Sequence, residues 1–140
     1  MTSLKNVTLI PFPAPIAEDR NTRSKKIETL LISQHGGVKI LPLDQIIYLQ
    51  AKGSYTELIL TVGGRMVVSK PLCRFEEKLH SLGFYRIHKT YMINLRHLRE
   101  YETKDGEVAV LTNGIRLYLS RNRTADFLRM VEEVTRGISL

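Results

Sequence analysis

Side chains that can bind phosphate are concentrated between residues 84 and 98. This stretch interleaves apolar residues with basic and polar ones, and its first acidic neighbour is Glu100. Lysine and arginine neutralise phosphate charge, whereas threonine and histidine donate hydrogen bonds that hold a protein in register on a nucleic-acid backbone. Together with Lys70, which lies near a predicted hairpin, the candidates for backbone contact are Arg86, His88, Lys89, Thr90 and Arg96.

Asn94 offers a different chemistry within the same stretch. Its amide presents a donor and an acceptor side by side, which can read the edge of a base, adenine best of all. Other interpretations exist for single residues: Asn94 as a turn former, Thr90 as an ordinary strand residue, and Arg86 or Arg96 as solvated surface charges. Because these residues occur together with no acid among them, we expect base reading by Asn94.

A second polar cluster lies at residues 50–56. Gly53 permits a backbone turn there, so that the side chains on either side of it project from the end of a strand. The candidates for base reading in this loop are Lys52, Ser54, Tyr55 and Thr56.

A third cluster, residues 120–123, joins the last predicted strand to the last predicted helix. Ser120 or Asn122 could simply cap that helix. Arginine at a helix start is opposed by the helix dipole, however, so two arginines there favour an anionic partner. We therefore add Arg121, Asn122 and Arg123 to the base-reading candidates.

The net charge of the whole chain is compatible with an anionic partner but does not by itself indicate one. Its 140 residues include 21 Lys and Arg and 14 Asp and Glu, for a formal net charge of +7. Most of the excess falls between Lys52 and Arg99. Net charge by itself also serves solubility, so the position of the charges carries the argument.

The sequence lacks the sets of residues that several other functions require. We find no paired carboxylates, Ser-His-Asp set or phosphate-binding loop, so we expect no enzyme and no cofactor. His88 and His97 are nine residues apart without clustered acids, which argues against a metal site. Cys73 is the only cysteine, so the chain cannot form an internal disulfide. No apolar run approaches the roughly 20 residues that span a bilayer, and we expect a soluble, cytoplasmic protein.

Paired turn residues at Gly36-Gly37, Gly63-Gly64, Asp105-Gly106 and Asn113-Gly114 predict hairpins in antiparallel sheets. Between them, short runs rich in Val, Ile, Leu and Tyr predict strands: residues 27–32, 38–41, 46–50, 55–61, 66–69, 108–111 and 115–119. One helix is predicted after Pro71, with an apolar stripe and a stop at Gly83; another follows residues 120–122 and stops at Gly137. The fold class is therefore mainly β. We expect a flexible leader at 1–24, a domain at 25–136 and a tail at 137–140.

Four segments, taken in order, resemble the LytTR-type DNA-binding domain of bacterial transcription regulators: Ile46–Thr56, Phe84–Leu95, Asn113–Gly114 and Leu119–Arg121. The resemblance covers about residues 25–136. It implies an elongated sandwich of short antiparallel sheets, with one short internal helix and a C-terminal helix. It also implies that loops enter the major groove, usually at paired direct repeats. Asn94 and residues 52–56 match base-reading positions, and His88, Lys89 and Thr90 match backbone-positioning ones.

Members of this family commonly follow a receiver domain, whereas only about 24 residues precede the match here. We therefore expect a stand-alone regulator, controlled by its expression level, by oligomerisation through the C-terminal helix, or by another protein. The expected partners are a second copy on DNA and a membrane-protein or sensor partner.

The function predicted from the sequence is sequence-specific binding of double-stranded DNA and transcription regulation, with no small-molecule substrate. The alternative is a single-stranded nucleic-acid binder that stacks bases on Tyr55, Tyr85 and Tyr91. A protein-interaction module, using the leader or the last helix, is also compatible with the sequence.

Overall fold

The computed structural model describes residues 27–138 and residue 140. The predicted leader, residues 1–24, lies outside the described residues. The chain divides into two units, one ending at Pro42 and the other running from Leu43 to Leu140. All functional candidates belong to the second unit.

The first unit contributes one antiparallel hairpin, formed by β1 (Thr29–Gln34) and β2 (Gly37–Pro42). Its turn lies at Gly36, which adopts a φ of 90° that side chains other than glycine rarely tolerate. The hairpin predicted at the glycine pair is therefore present, with β1 beginning two residues later than the sequence indicated.

The main sheet of the second unit has five antiparallel strands in the order β5-β4-β3-β7-β6. The strands are β3 (Ile46–Lys52), β4 (Tyr55–Leu60), β5 (Arg65–Val68), β6 (Phe84–Arg86) and β7 (Tyr91–Asn94). The central strand β3 begins with four consecutive buried residues, as expected for a strand covered on both faces. Because neighbouring strands are antiparallel, the end of β3, the start of β4 and the end of β5 lie at the same end of the sheet.

A second antiparallel sheet has the order β10-β9-β8, with β8 (Leu98–Glu102), β9 (Val108–Leu111) and β10 (Arg116–Tyr118). Every residue of β9 is buried. Leu111 and Leu117 from this sheet share one apolar cluster with Ile87 and Ile93 of the five-stranded sheet region. This cluster joins the two sheets of the second unit into one core.

Two α-helices occur within residues 27–138. Helix α1 (Leu72–Leu79) follows Pro71, buries Leu72, Phe75 and Leu79, and continues as a 3₁₀ turn that ends at Gly83 with a φ of 92°. Its predicted apolar stripe and glycine stop are confirmed. Helix α2 (Thr124–Thr135) is preceded by a 3₁₀ turn at Arg121–Arg123.

The end of α2 differs from the prediction. The residue in the left-handed conformation is Arg136, with a φ of 55°, and not Gly137. The mainly β, antiparallel fold with a short internal helix and a C-terminal helix is confirmed. In the part of the chain that is described, neither helix combines the length and hydropathy needed to cross a membrane.

Phe127 anchors α2 in the core, so its truncation should destabilise the protein. Its side chain is fully buried, and its ring centroid lies 5.9 Å from that of Tyr85 and 5.6 Å from that of Tyr101. We expect Phe127→Ala to lower the free energy of unfolding by about 3 to 5 kcal/mol, measured by urea denaturation. Leu128→Ala, at a position 41% exposed, is the control; similar losses in the two variants would contradict this placement.

Candidate nucleic-acid interface

Three loops meet at one end of the five-stranded sheet. They are residues 52–55, between β3 and β4; residues 87–90, between β6 and β7; and residues 120–123, between β10 and α2. The Ala51 N–H donates to the Thr90 carbonyl at 2.8 Å, and the Ser120 N–H donates to the Ile87 carbonyl at 2.8 Å. The first of these backbone hydrogen bonds joins the end of β3, beside the first loop, to the second loop. The other joins the second loop to the third. We call these three loops the loop end.

Lys70 lies at the same end, although it follows a different strand. The hydroxyl of Thr56 donates to the Lys70 carbonyl at 2.7 Å, which fixes the chain beyond β5 beside the first loop. The Lys70 side chain is exposed.

The second loop presents Lys89 at its tip. The Thr90 N–H donates to Nδ1 of His88 at 3.1 Å, and the Tyr91 N–H donates to the His88 carbonyl at 3.2 Å. Since Nδ1 accepts a hydrogen bond, the imidazole carries its proton on Nε2, which remains the donor of the ring. His88 and Thr90 are half-buried, whereas Lys89 is exposed.

The side chain of Arg86 supports this second loop from within. Its Nε donates to the His88 carbonyl at 3.3 Å, its Nη2 donates to the Lys89 carbonyl, and its Nη1 lies 3.0 Å from Oε1 of Glu76 on α1. The side chain is 17% exposed. Arg86 therefore contacts the protein's own loop and helix.

In the third loop, Arg121 and Asn122 are exposed, while Arg123 turns inward. Nη1 of Arg123 donates to the Arg86 carbonyl at 2.8 Å. Neither of the predicted caps is observed: the 3₁₀ turn begins after Ser120 without a side-chain hydrogen bond, and α2 begins only at Thr124. The loop is held instead by its contact with β6.

The exposed side chains at this end are cationic or polar. The cations are Lys52, Lys70, Lys89 and Arg121, and the other exposed polar side chains are Ser54, Tyr55 and Asn122. None of the residues in the three loops is acidic. Such a surface can neutralise a polyanion, and its hydroxyl and amide groups can form hydrogen bonds with groups that lie between the charges.

The structure corrects the prediction for Asn94, which is completely buried. Its Nδ2 donates to the carbonyls of Leu43 at 3.1 Å and Ile46 at 2.9 Å. Its Oδ1 accepts from the N–H of Arg96 at 3.1 Å and from Nη1 of the same residue at 3.2 Å. With its donors and acceptor used inside the protein, Asn94 cannot reach a base in this conformation, and the turn-forming interpretation is the correct one.

Asn94 is also at the wrong end of the sheet for such a contact. It caps a 3₁₀ turn beside the start of β3, whereas the loop end lies at the other end of β3. A seven-residue strand separates these two ends by about 20 Å. Arg96 lies with Asn94: its Nη2 donates to the Leu82 carbonyl at 2.9 Å. The structure therefore does not bring Arg96 to the loop end.

Thr56 is a second correction. It is completely buried, and its hydroxyl is the one that donates to Lys70. Its predicted base contact is replaced by a role in holding Lys70 beside the first loop.

Two residues that hold the loops in place, Glu76 and Asp126, were not predicted from the sequence. The Tyr85 hydroxyl donates to Oδ2 of Asp126 at 2.9 Å and lies 3.4 Å from the Arg123 carbonyl. This hydrogen bond fixes the start of α2, and hence the third loop, against β6. The one local signal for Asp126 is its position in the first turn of a helix, where the helix dipole favours an acidic side chain.

Burial and the hydrogen bond to Asp126 raise the pKa of Tyr85 to about 12. The same hydrogen bond, aided by Arg129, lowers the pKa of the Asp126 carboxyl. Both shifts favour the arrangement in which a neutral phenol donates to a carboxylate. Among residues 27–138, no three His, Cys, Asp or Glu side chains converge as metal ligands.

Comparison with known proteins gives one family. The family model of the LytTr DNA-binding domain matches residues 36–132. A solved LytTr DNA-binding domain from Bacillus cereus superposes with a TM-score of 0.61 at 21% sequence identity, over 76% of this chain and 97% of that one. At this identity the similarity concerns the fold.

Two bacterial relatives carry the name LytR. A transcriptional regulatory protein LytR of Staphylococcus aureus (strain N315) is 32% identical over 71 residues, which are 49% of this chain and 29% of that protein. A sensory transduction protein LytR of Staphylococcus saprophyticus is 27% identical over 120 residues, 84% of this chain and 47% of that protein. This chain spans less than half the length of each.

The burial of Asn94 gives a prediction about stability. Asn94→Ala should lower the free energy of unfolding by about 1 to 3 kcal/mol for each buried carbonyl that it leaves without a donor. Urea denaturation measures this, with Asn122→Ala at an exposed position as the matched control. An Asn94→Ala protein as stable as the control would show that the amide is not needed for the fold.

The raised pKa of Tyr85 gives a prediction about alkaline pH. The unfolded chain releases the phenol proton near pH 10 and the folded protein near pH 12, so unfolding becomes easier as the pH rises between these values. At 1.36 kcal/mol per pKa unit, this contribution is at most about 2 to 3 kcal/mol, because solvent screening reduces it. The free energy of unfolding, followed from pH 9 to 12, should therefore fall less steeply in Tyr85→Phe. Tyr118→Phe, which removes an exposed phenol, is the control, and equal slopes in the two variants would contradict the assignment.

Proposed function

The chain belongs to the LytTr DNA-binding domain family, and from that premise we propose that it binds double-stranded DNA sequence-specifically and regulates transcription. The observation that carries the proposal is the loop end. Three loops with exposed cations and without acids meet there, held together by backbone hydrogen bonds. The names of the LytR relatives support regulation as the purpose of binding.

In this proposal the loops, rather than a helix, enter the major groove. Lys52, Ser54 and Tyr55 in the first loop and Arg121 with Asn122 in the third are exposed and are the candidates for base contacts. Arg123 holds the third loop against β6. The second loop would follow the phosphate backbone, where Lys89 supplies charge and His88 and Thr90 supply shorter polar contacts. Lys70 extends the same positive surface.

The wider setting follows from the family resemblance. We propose binding at paired direct repeats, as two copies on one DNA, with control by a sensor or membrane partner. The protein would act on the bacterial chromosome, in the cytoplasm, by binding alone and without a catalytic step.

Most of the aromatic surface predicted to stack the bases of a single strand is not exposed. Tyr85 is 4% exposed and bonded to Asp126. Tyr91 is half-buried and meets the ring of Tyr48 edge-on, with 6.2 Å between centroids. Only Tyr55, 49% exposed, remains as a platform among the three. Successive bases need successive aromatic faces, so burial favours the double-stranded proposal.

Lys89→Ala should weaken DNA binding without changing sequence preference. The variant should lose similar affinity for two duplexes, one selected from a random pool by the unmodified chain and one scrambled. The slope of log affinity against log salt concentration should fall by the contribution of about one phosphate contact. Fluorescence anisotropy across a salt series measures both. Arg65→Ala is the matched control, because Arg65 lies at the opposite end of β5 from Lys70 and pairs with Glu57.

Three results would contradict the proposal. One is an equal loss for Lys89→Ala and Arg65→Ala, since the loop end would then have no special role. Another is tighter binding of single strands than of duplex at equal nucleotide concentration. The third is an absence of binding to any duplex by the unmodified chain.

A further inference from the structure

Arg86 is the residue at which the second loop, the third loop and helix α1 connect. Its guanidinium donates to the carbonyls of His88 and Lys89, and it pairs with Glu76 at 3.0 Å. Its own carbonyl accepts the hydrogen bond from Arg123 at 2.8 Å. A single residue therefore contacts two of the three loops at once.

These contacts leave Arg86 poorly suited to bind phosphate. Its side chain is 17% exposed, and three separate acceptors already receive hydrogen bonds from Nε, Nη1 and Nη2. Binding a phosphate would exchange internal acceptors for an external one. The carboxylate of Glu76 also offsets part of the charge that Arg86 would offer to a polyanion.

Glu76 is an acidic residue that lies close to the proposed DNA-binding loops. A carboxylate close to a phosphate-binding surface repels the backbone and weakens association. Glu76 nevertheless lies on the Arg86 side of α1, with its side chain 35% exposed and in contact with the guanidinium. The contact that the structure gives this carboxylate is the one with Arg86.

We propose that Glu76 and Arg86 are positioning residues that hold the second loop, and through the Arg86 carbonyl the third loop, in the arrangement that contacts DNA. Glu76 orients the guanidinium, and the guanidinium fixes the two loop carbonyls on either side of the Lys89 tip. This inference rests on the proposed function, and it replaces the predicted phosphate contact of Arg86. It also gives helix α1, which carries none of the candidate contacts, an effect on binding.

Glu76→Gln separates positioning from electrostatics because the two predict opposite signs. Removing a negative charge near DNA should tighten binding if only charge matters. If Glu76 positions Arg86, the variant should instead bind about three- to tenfold more weakly, since one charge-assisted hydrogen bond is weakened. Glu77→Gln is the matched control: it lies on the same helix, is exposed, and should bind at least as tightly as the unmodified chain.

Arg86→Lys provides the second variant. Lysine keeps the charge but lacks the planar fork of donors, so it can replace a phosphate contact but cannot reach three separate acceptors. Positioning predicts a loss similar to that of Glu76→Gln, an unchanged salt dependence, and a double variant no weaker than either single one. A phosphate contact predicts little loss on changing Arg86 to lysine.

The measurements are anisotropy on the selected duplex and hydrogen exchange in the DNA-free protein of the Thr90 and Tyr91 amides, which donate to Nδ1 and to the carbonyl of His88. The inference expects faster exchange at both amides in Glu76→Gln and not in Glu77→Gln, with the urea midpoint unchanged. If Glu76→Gln does not fold, Arg86→Lys decides by the same two measurements.

The inference is overturned if Glu76→Gln binds as tightly as Glu77→Gln with unchanged exchange, or if Arg86→Lys keeps full affinity. Either result leaves the proposed function intact, provided that the unmodified chain binds the duplex. A chain that binds no duplex contradicts the proposed function instead, and the exchange measurement still reports whether the pair orders the loop.

Discussion

The antiparallel pairing of β3 with β7 determines how the first and second loops lie. The two strands are about forty residues apart in the chain, yet Gln50 pairs with Tyr91, and the Ala51 N–H continues the ladder to the Thr90 carbonyl. This pairing puts the first loop against the second. At the other end, the buried Asn94 amide binds the carbonyls of Leu43 and Ile46 and so fixes the same pair in register. A slip of one residue would turn every side chain of a strand to the opposite face, so the buried amide protects both the core and the loops.

Holding the loops together has an electrostatic cost that the backbone must offset. Lys52, Lys70, Lys89 and Arg121 are like charges at one end of the protein, and they repel each other when no anion is bound. The hydrogen bonds between loops come from main-chain groups and from the less exposed Arg86 and Arg123. The hydrogen-bonded framework is therefore built from groups other than the exposed cations. The exposed cations remain available to a polyanion, whose binding would relieve their mutual repulsion.

Residue type indicated which segments lie together better than it indicated the contacts of individual side chains. Polar and basic side chains at residues 52–56, 84–98 and 120–123 indicated the three segments. The motif order indicated the family, which is confirmed. Single assignments failed where a polar side chain was needed inside. Asn94 and Thr56 have the chemistry of base readers, but each donates to a backbone carbonyl instead. Sequence patterns do not distinguish a carbonyl acceptor from a base. Strand β8 was missed because only Leu98 and Tyr101 are apolar in it, so its pattern is mostly polar.

The sequence by itself determined the mainly β class, the glycine turns, the two helices and the basic character of the segments that form the loop end. These features depend on local sterics, on the burial period of a strand or helix, and on composition, all of which act over a few residues. Only the tertiary structure decided which polar residues face outward, and that Glu76, Arg86 and Arg123 join α1 to two loops. The reason is that burial and hydrogen bonding depend on partners distant in the chain, such as Asn94 with Leu43. Their meeting is set by strand order and register rather than by any local pattern.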